Sequence, residues 1–179
     1  MKRRKPNFRF IAIFFASVAI LCTSTYFVHG YQVRRNAGAL LQQAESAQKA
    51  DQLQEASNYL GQYVGMLPKD AEGLARYGML LANPRMMKTP RDAMRAKLIL
   101  ERALYLEPNR DDVRRSAIKI ALDMGDSTGA REDIQRLLKK SPNDGELKGM
   151  LARSHEQGGR FSDARSAYEE AIKQAPELV

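Results

Sequence analysis

The chain has 179 residues and carries 29 Lys and Arg against 21 Asp and Glu, a formal net charge of +8. Seven of those bases lie within residues 1–35, where there is no acid, so the remaining body sets 22 bases against 21 acids. A nearly neutral body excludes a nucleic-acid binder working through a basic patch, and one cysteine with two histidines excludes a disulfide framework.

Residues 1–9 form a basic N-terminus with Lys2, Arg3, Arg4, Lys5 and Arg9. Residues 10–33 read as a transmembrane signal-anchor helix: the run Phe10–Leu21 is apolar, a softer stretch continues to Tyr31, and 24 successive residues carry no charge. About 20 such residues span a bilayer as a helix. The bases before the span outnumber Arg34 and Arg35 after it, which predicts a cytoplasmic N-terminus and an exported body. Tyr26 and Tyr31 fall where an interfacial aromatic belt is expected. Leu21-Cys22-Thr23 and Val28-His29-Gly30 make poor small-x-small cleavage sites, so the anchor is expected to remain. The alternative is cleavage, which would release a soluble binding module. Leu21 before Cys22 argues against lipidation, and with Cys22 inside the span the body can form no disulfide.

Beyond Val33 the chain keeps a register set by Pro68, Pro108, Pro142 and Pro176, each closing a helical stretch. The intervals are 40, 34 and 34 residues, and an alanine precedes each proline by twelve: Ala56, Ala96, Ala130 and Ala164. The register predicts four helical hairpins over 37–178. Residues 37–70 place Leu40, Ala44, Ala47, Ala56, Leu60 and Tyr63 on apolar faces. Residues 71–110 do so with Leu74, Tyr77, Gly78 and Leu81, then Ala96, Leu100, Ala103 and Leu106; their six-residue insertion falls in the turn Asn83–Pro90. Residues 111–144 use Ala117, Ile118 and Ala121, a Gly125-Asp126 turn, then Ala130, Ile134 and Leu137. Residues 145–178 use Leu151, Ala152 and His155, a Gly158-Gly159 turn, then Ala164, Tyr168, Ala171 and Ile172 before Pro176. No proline separates the span from the first hairpin, so the membrane helix is expected to run almost directly into it.

The last copy, small-x₃-aromatic-x₂-Ala-x₄-Pro at Ala164, Tyr168, Ala171 and Pro176, resembles the tetratricopeptide repeat family, of a membrane-anchored bacterial type, and the resemblance covers about 140 residues. It implies an all-α protein: a single N-terminal transmembrane helix followed by an α-solenoid of about four hairpins, whose work is scaffolding rather than catalysis. Bacterial envelope proteins of this layout assist secretion, cytochrome maturation or envelope assembly, and the resemblance permits each.

Family members bind ligands on the concave face, lined by the first helix of each hairpin. Matching the register places Leu41, Glu45, Ala75, Met79, Arg115, Lys119, Gly149 and Arg153 there, with Arg115, Lys119 and Arg153 as a basic strip suited to a carboxylate. Leu41 and Glu45 stand where chaperone-tail-binding relatives carry lysine and asparagine, so that clamp is absent. The inserted turn is a second candidate: Arg85, Lys88, Arg91, Arg95 and Lys97 outweigh Asp92, and Met86-Met87 lies at its tip, a combination suited to anionic headgroups or a partner.

No nucleophile elbow, phosphate-cradling loop or metal-spaced cluster occurs, and His155 falls at a packing position, so no catalytic, cofactor or metal site is expected. The partners expected are proteins and, through the anchor, the membrane. The fourth hairpin is expected to leave uncovered the face prepared for a neighbour, to be met by a partner, by self-association, or by further repeats or an enzyme domain of a longer protein.

Overall fold

The computed structural model describes residues 8–174, and every regular element among them is an α-helix. In chain order these are α1 (Phe8–Lys49), α2 (Leu53–Met66), α3 (Ala71–Leu81), α4 (Pro90–Leu106), α5 (Asp111–Asp123), α6 (Ser127–Lys140), α7 (Gly145–Gln157) and α8 (Phe161–Gln174). The basic stretch before Phe8, and Pro176 with the residues around it, lie outside the described residues.

Helix α1 runs 42 residues without a break, about 63 Å at 1.5 Å per residue. Gly30 and Gly38 cost it about 1 kcal/mol each relative to alanine, too little to end a helix that is packed at one end. Residues 14–32 of α1 are exposed, Phe15, Ile20 and Leu21 among the most open side chains, whereas Ala37, Ala44 and Ala47 farther along are buried. By length and composition α1 is apolar enough to cross a membrane.

The hairpins are α1–α2, α3–α4, α5–α6 and α7–α8, and each second helix packs on the first helix of the next hairpin. Pro68, Pro108 and Pro142 each follow the last turn of α2, α4 and α6, where a missing N–H ends the helix. After Pro68 and Pro142 the next helix starts on a carboxylate that accepts from a first-turn N–H, Asp70 from Gly73 and Asp144 from Leu147, whereas α5 starts on Arg110 without a side-chain cap. Within hairpins, Asp126 caps α6 and Thr89 with Asp92 forms a reciprocal capping box before Pro90. The turns α5–α6 and α7–α8 pass through Gly125 and Gly159, at φ +80° and +72°, a conformation that other L-residues adopt at a cost.

The alanines at the hairpin register, Ala56, Ala96, Ala130 and Ala164, are each at most 4% exposed. Close approach explains them and two glycines. A Cβ at Gly78 would lie 2.6 Å from Leu100 Cδ2, and one at Gly73 would lie 2.2 Å from the Tyr63 ring. The Tyr63 hydroxyl donates to Asp70 at 2.5 Å; burial and that carboxylate push the phenol up to about 12. Helix α5 serves two cores, giving Val113, Ala117 and Ile120 to the first and Ile118, Ala121 and Leu122 to the second.

Candidate protein-docking groove

The first helices of the hairpins, α3, α5 and α7, touch in sequence along one side of the stack. Charge pairing laces this side together. Arg76 of α3 meets Glu45 of α1 at 2.7 Å, and Arg110 meets Glu72 at 2.7 Å. Arg115 bonds Asp144 and Glu146, Lys119 meets Glu146 at 2.7 Å, and Arg153 meets Asp123 at 2.8 Å. Burial pushes the Asp144 carboxyl up, but the Arg115 guanidinium and the Leu147 amide together hold it below the ordinary range.

Structure therefore revises the basic strip. Arg115, Lys119 and Arg153 do share one face of α5 and α7, yet each already holds a carboxylate, so the surface is of mixed charge rather than a vacant cationic row. Met79 is half-buried against the first core on α3, in another part of the stack. Arg85 and Lys88 stand at the opposite end of α1 from the apolar half. Arg85 grips Asp51 with two hydrogen bonds, 2.7 and 2.9 Å, and Lys88 lines the same depression. The last residue of α1, Lys49, lies 14 residues beyond Arg35, about 21 Å along the axis. The inserted turn thus sits at the far end of α1 from its apolar half.

Between α5, α7 and α8 lies a largely apolar groove of about 660 Å³. Lys119 and Leu122 line it from α5, Gly149 and Arg153 from α7, Tyr168 and Ile172 from α8. Gly149 differs from Gly73 and Gly78: a Cβ there would meet nothing within 4 Å, so its helix surface opens directly into the groove. The register predicts Lys119, Gly149 and Arg153 on this face, and the structure brings them together.

The α8 wall shows why the groove is open. Tyr168, Ala171 and Ile172 are in 34-residue register with Ile134, Leu137 and Leu138 of α6, and with Leu100, Ala103 and Leu104 of α4. On α4 and α6 the first two of each trio are buried and the third half-buried. Of the α8 trio only Ala171 is buried; Tyr168 and Ile172 are exposed, the Tyr168 hydroxyl donating to Glu156 at 2.9 Å. Within the expected apolar stripe, Tyr168 and Ile172 border the groove. What the sequence did not disclose is that α8 would form a wall with Leu122 and Asp123 of α5, a juxtaposition made across two intervening helices and three turns.

Among the described residues no group of three or more His, Cys, Asp or Glu is placed to hold a metal ion. The site offers apolar surface framed by ion pairs.

Residues 116–178, spanning α7, α8 and most of α5–α6, match the model of the tetratricopeptide repeat family. These hairpins are tetratricopeptide repeats. The same architecture continues through the whole array, which is similar to solved structures of MamA. MamA 41-end from Desulfovibrio magneticus RS-1 is 20% identical, with a TM-score of 0.69 over 79% of this chain and 76% of that one. MamA MSR-1 is 16% identical at the same TM-score, over 80% and 79% of the two chains, and MamA AMB-1 is 17% identical at 0.69, over 79% and 80%. At this identity the likeness shows a shared tetratricopeptide-like solenoid. No curated protein matches the sequence.

Proposed function

We propose that the chain is a membrane-anchored adaptor: residues 10–33 span the bilayer with the N-terminus in the cytoplasm, and the repeats present a protein partner on the exported side. The observation that carries the docking role is the groove of α5, α7 and α8. Its α8 wall continues an interface that the chain uses three times internally, since each earlier second helix is covered by a following first helix.

The occupant is an amphipathic helix of a partner protein, laid against α8 as α7 lies against α6. Residues ten apart fall across that contact, and where one of them is small the other is larger. Tyr63 meets Gly73; Ala103 shares a core with Val113; Leu137 shares one with Leu147. With Ala171 at the corresponding place on α8, the incoming helix is expected to bring a bulky apolar side chain. Envelope assembly, secretion or protein maturation are the processes that suit this layout.

The test uses the full-length chain in native membranes with a photocrosslinker at Ile172. A discrete partner protein should crosslink from Ile172 and disappear when Gly149→Leu fills the groove, while the repeats still melt cooperatively. Recovery of only self-crosslinked chains would replace the adaptor by homotypic stacking. A partner that survives Gly149→Leu would remove the groove from the docking role.

A further inference from the structure

A second surface, on the opposite side of the stack, departs from the chain's own repeat rule. On α4, Met94, Leu98 and Tyr105 are 46%, 53% and 86% exposed. Their spacing of four and then seven residues puts them in one line, opposite the buried Ala96, Leu100 and Ala103. From Met94 to Tyr105 the line spans 12 residues, about 16 Å along the axis. Register counterparts on the other second helices are polar or lack a side chain: Gln54, Asn58 and Gly65 on α2, Thr128, Glu132 and Lys139 on α6, Ser162, Ser166 and Lys173 on α8. Solvent-facing polarity is the rule here, and α4 alone among the four breaks it with three large apolar side chains.

Glu101, three residues after Leu98 and four before Tyr105, falls in the line itself and is paired with Lys97 at 3.9 Å on one flank; the other cations of the helix lie on the opposite flank. Arg91, Arg95 and Arg102 flank the line on the side toward α2, and all three are exposed. Arg95 lies over the Tyr77 ring, 5.6 Å from its centre, and donates to the Tyr77 hydroxyl; Arg102 donates to the Pro68 carbonyl at 3.3 Å. These acceptors are neutral, so Arg95 and Arg102 are held in place by groups that carry no opposing charge; the nearby Asp92, which Arg95 helps to keep ionised, is itself bound by Thr89 and the Lys88 amide. The cations of the opposite face, by contrast, all hold carboxylates. Beside Arg95 a slot of about 530 Å³ between α2 and α4, lined by Asn58, Gln62, Tyr77 and Ile99, leaves room for an incoming side chain.

We infer that this outer face of α4 is a second docking site, for an acidic amphipathic helix of a partner protein whose apolar stripe covers Met94, Leu98 and Tyr105 and whose carboxylates run along Arg91, Arg95 and Arg102. An apolar line with a cationic border selects an occupant with the complementary pair of features. A second copy of the chain fits less well, because antiparallel pairing of two such helices about a two-fold axis would set arginine flank against arginine flank.

The site is tested on the full-length chain in zwitterionic nanodiscs with two labelled peptides of about four helical turns. Both carry leucines along one face; one has glutamates along a flank, its twin lysines. The glutamate peptide should bind at least about tenfold more tightly than the twin, and its advantage should shrink as salt rises. Leu98→Glu, or Arg91→Glu with Arg102→Glu, should lose at least about tenfold with an unchanged melting curve, while Gly149→Leu should bind like the parent. Absent binding, equal affinity for the two peptides, or indifference to Leu98→Glu overturns the assignment. So does concentration-dependent dimerisation, or binding to anionic vesicles, that Leu98→Glu abolishes, since either gives the stripe a different occupant.

Discussion

The ring of Tyr63 rests on the backbone of Gly73, so closely that a methyl group at residue 73 would sit 2.2 Å from the ring's Cε1. This contact joins the first hairpin to the second. Gly73→Ala should therefore lower stability by about 1–3 kcal/mol through overpacking, although alanine is the better helix former. Gly149→Ala reverses the sign, because nothing opposes the new methyl and helix propensity favours it by about 1 kcal/mol. Thermal unfolding of both variants in detergent should place their midpoints on opposite sides of the parent.

Ala130 tests the register itself. It is buried where α6 meets its neighbours, and Ala130→Trp should cost about 1–3 kcal/mol or more. A neutral melting curve for this variant would break the argument that the alanines before each proline mark helix–helix contacts.

Arg114 is buried and donates both to Asp133, at 2.5 Å, and to the Pro108 carbonyl, at 2.7 Å. It ties α5 to α6 and to the turn before it. Arg114→Met should cost about 1.5–3 kcal/mol, the range for hydrogen bonds to charged groups. Adding Asp133→Asn should cost less than it does in the parent, a non-additivity that a double-mutant cycle measures directly.

His155 supplies a pH dependence. Burial lowers its affinity for protons, and Arg160 and then Arg131 oppose its charge; Asp163, 4.0 Å away, favours it. The folded protein thus binds this proton less readily than the unfolded chain. The sign follows from linkage: stability is fully present above the unfolded value of about 6.5 and declines as pH falls below it toward the lower folded value. His155→Leu should flatten that part of the melting-temperature profile, and an unchanged slope would assign the acid sensitivity elsewhere.

How much of this was readable beforehand depends on whether a residue's role is local or made by the stack. Prolines 68, 108 and 142 and their alanines state their roles in one dimension, because a missing N–H and a missing side-chain bulk act wherever they occur. The uninterrupted helix from the apolar segment into the first hairpin was readable for the same reason, as the absence of any breaker. Arg115 was legible only as a surface cation of α5. That it would be held by Asp144 and Glu146 depends on the step from α5 to α7, about one repeat later in sequence, and it changes what Arg115→Glu would do. Three carboxylates would then crowd together, so this reversal is expected to loosen the start of α7, whereas Arg153→Glu disturbs only an exposed pair with Asp123. The α4 stripe was hidden for a different reason: Met94, Leu98 and Tyr105 look like ordinary helix content until burial shows that they face away from every other element.

The unbroken α1 makes the first hairpin part of a lever. Sixteen residues separate Val33 from Lys49, so a tilt of about 10° in the apolar half carries the far end sideways by about 4 Å, given about 1.5 Å of rise per residue. Every later hairpin is stacked on that end with no joint between. With residues 10–33 held in a bilayer as proposed, movement of that segment would be passed to the proposed docking surfaces as a swing of the whole stack, and load applied by a bound partner would return along the same shaft.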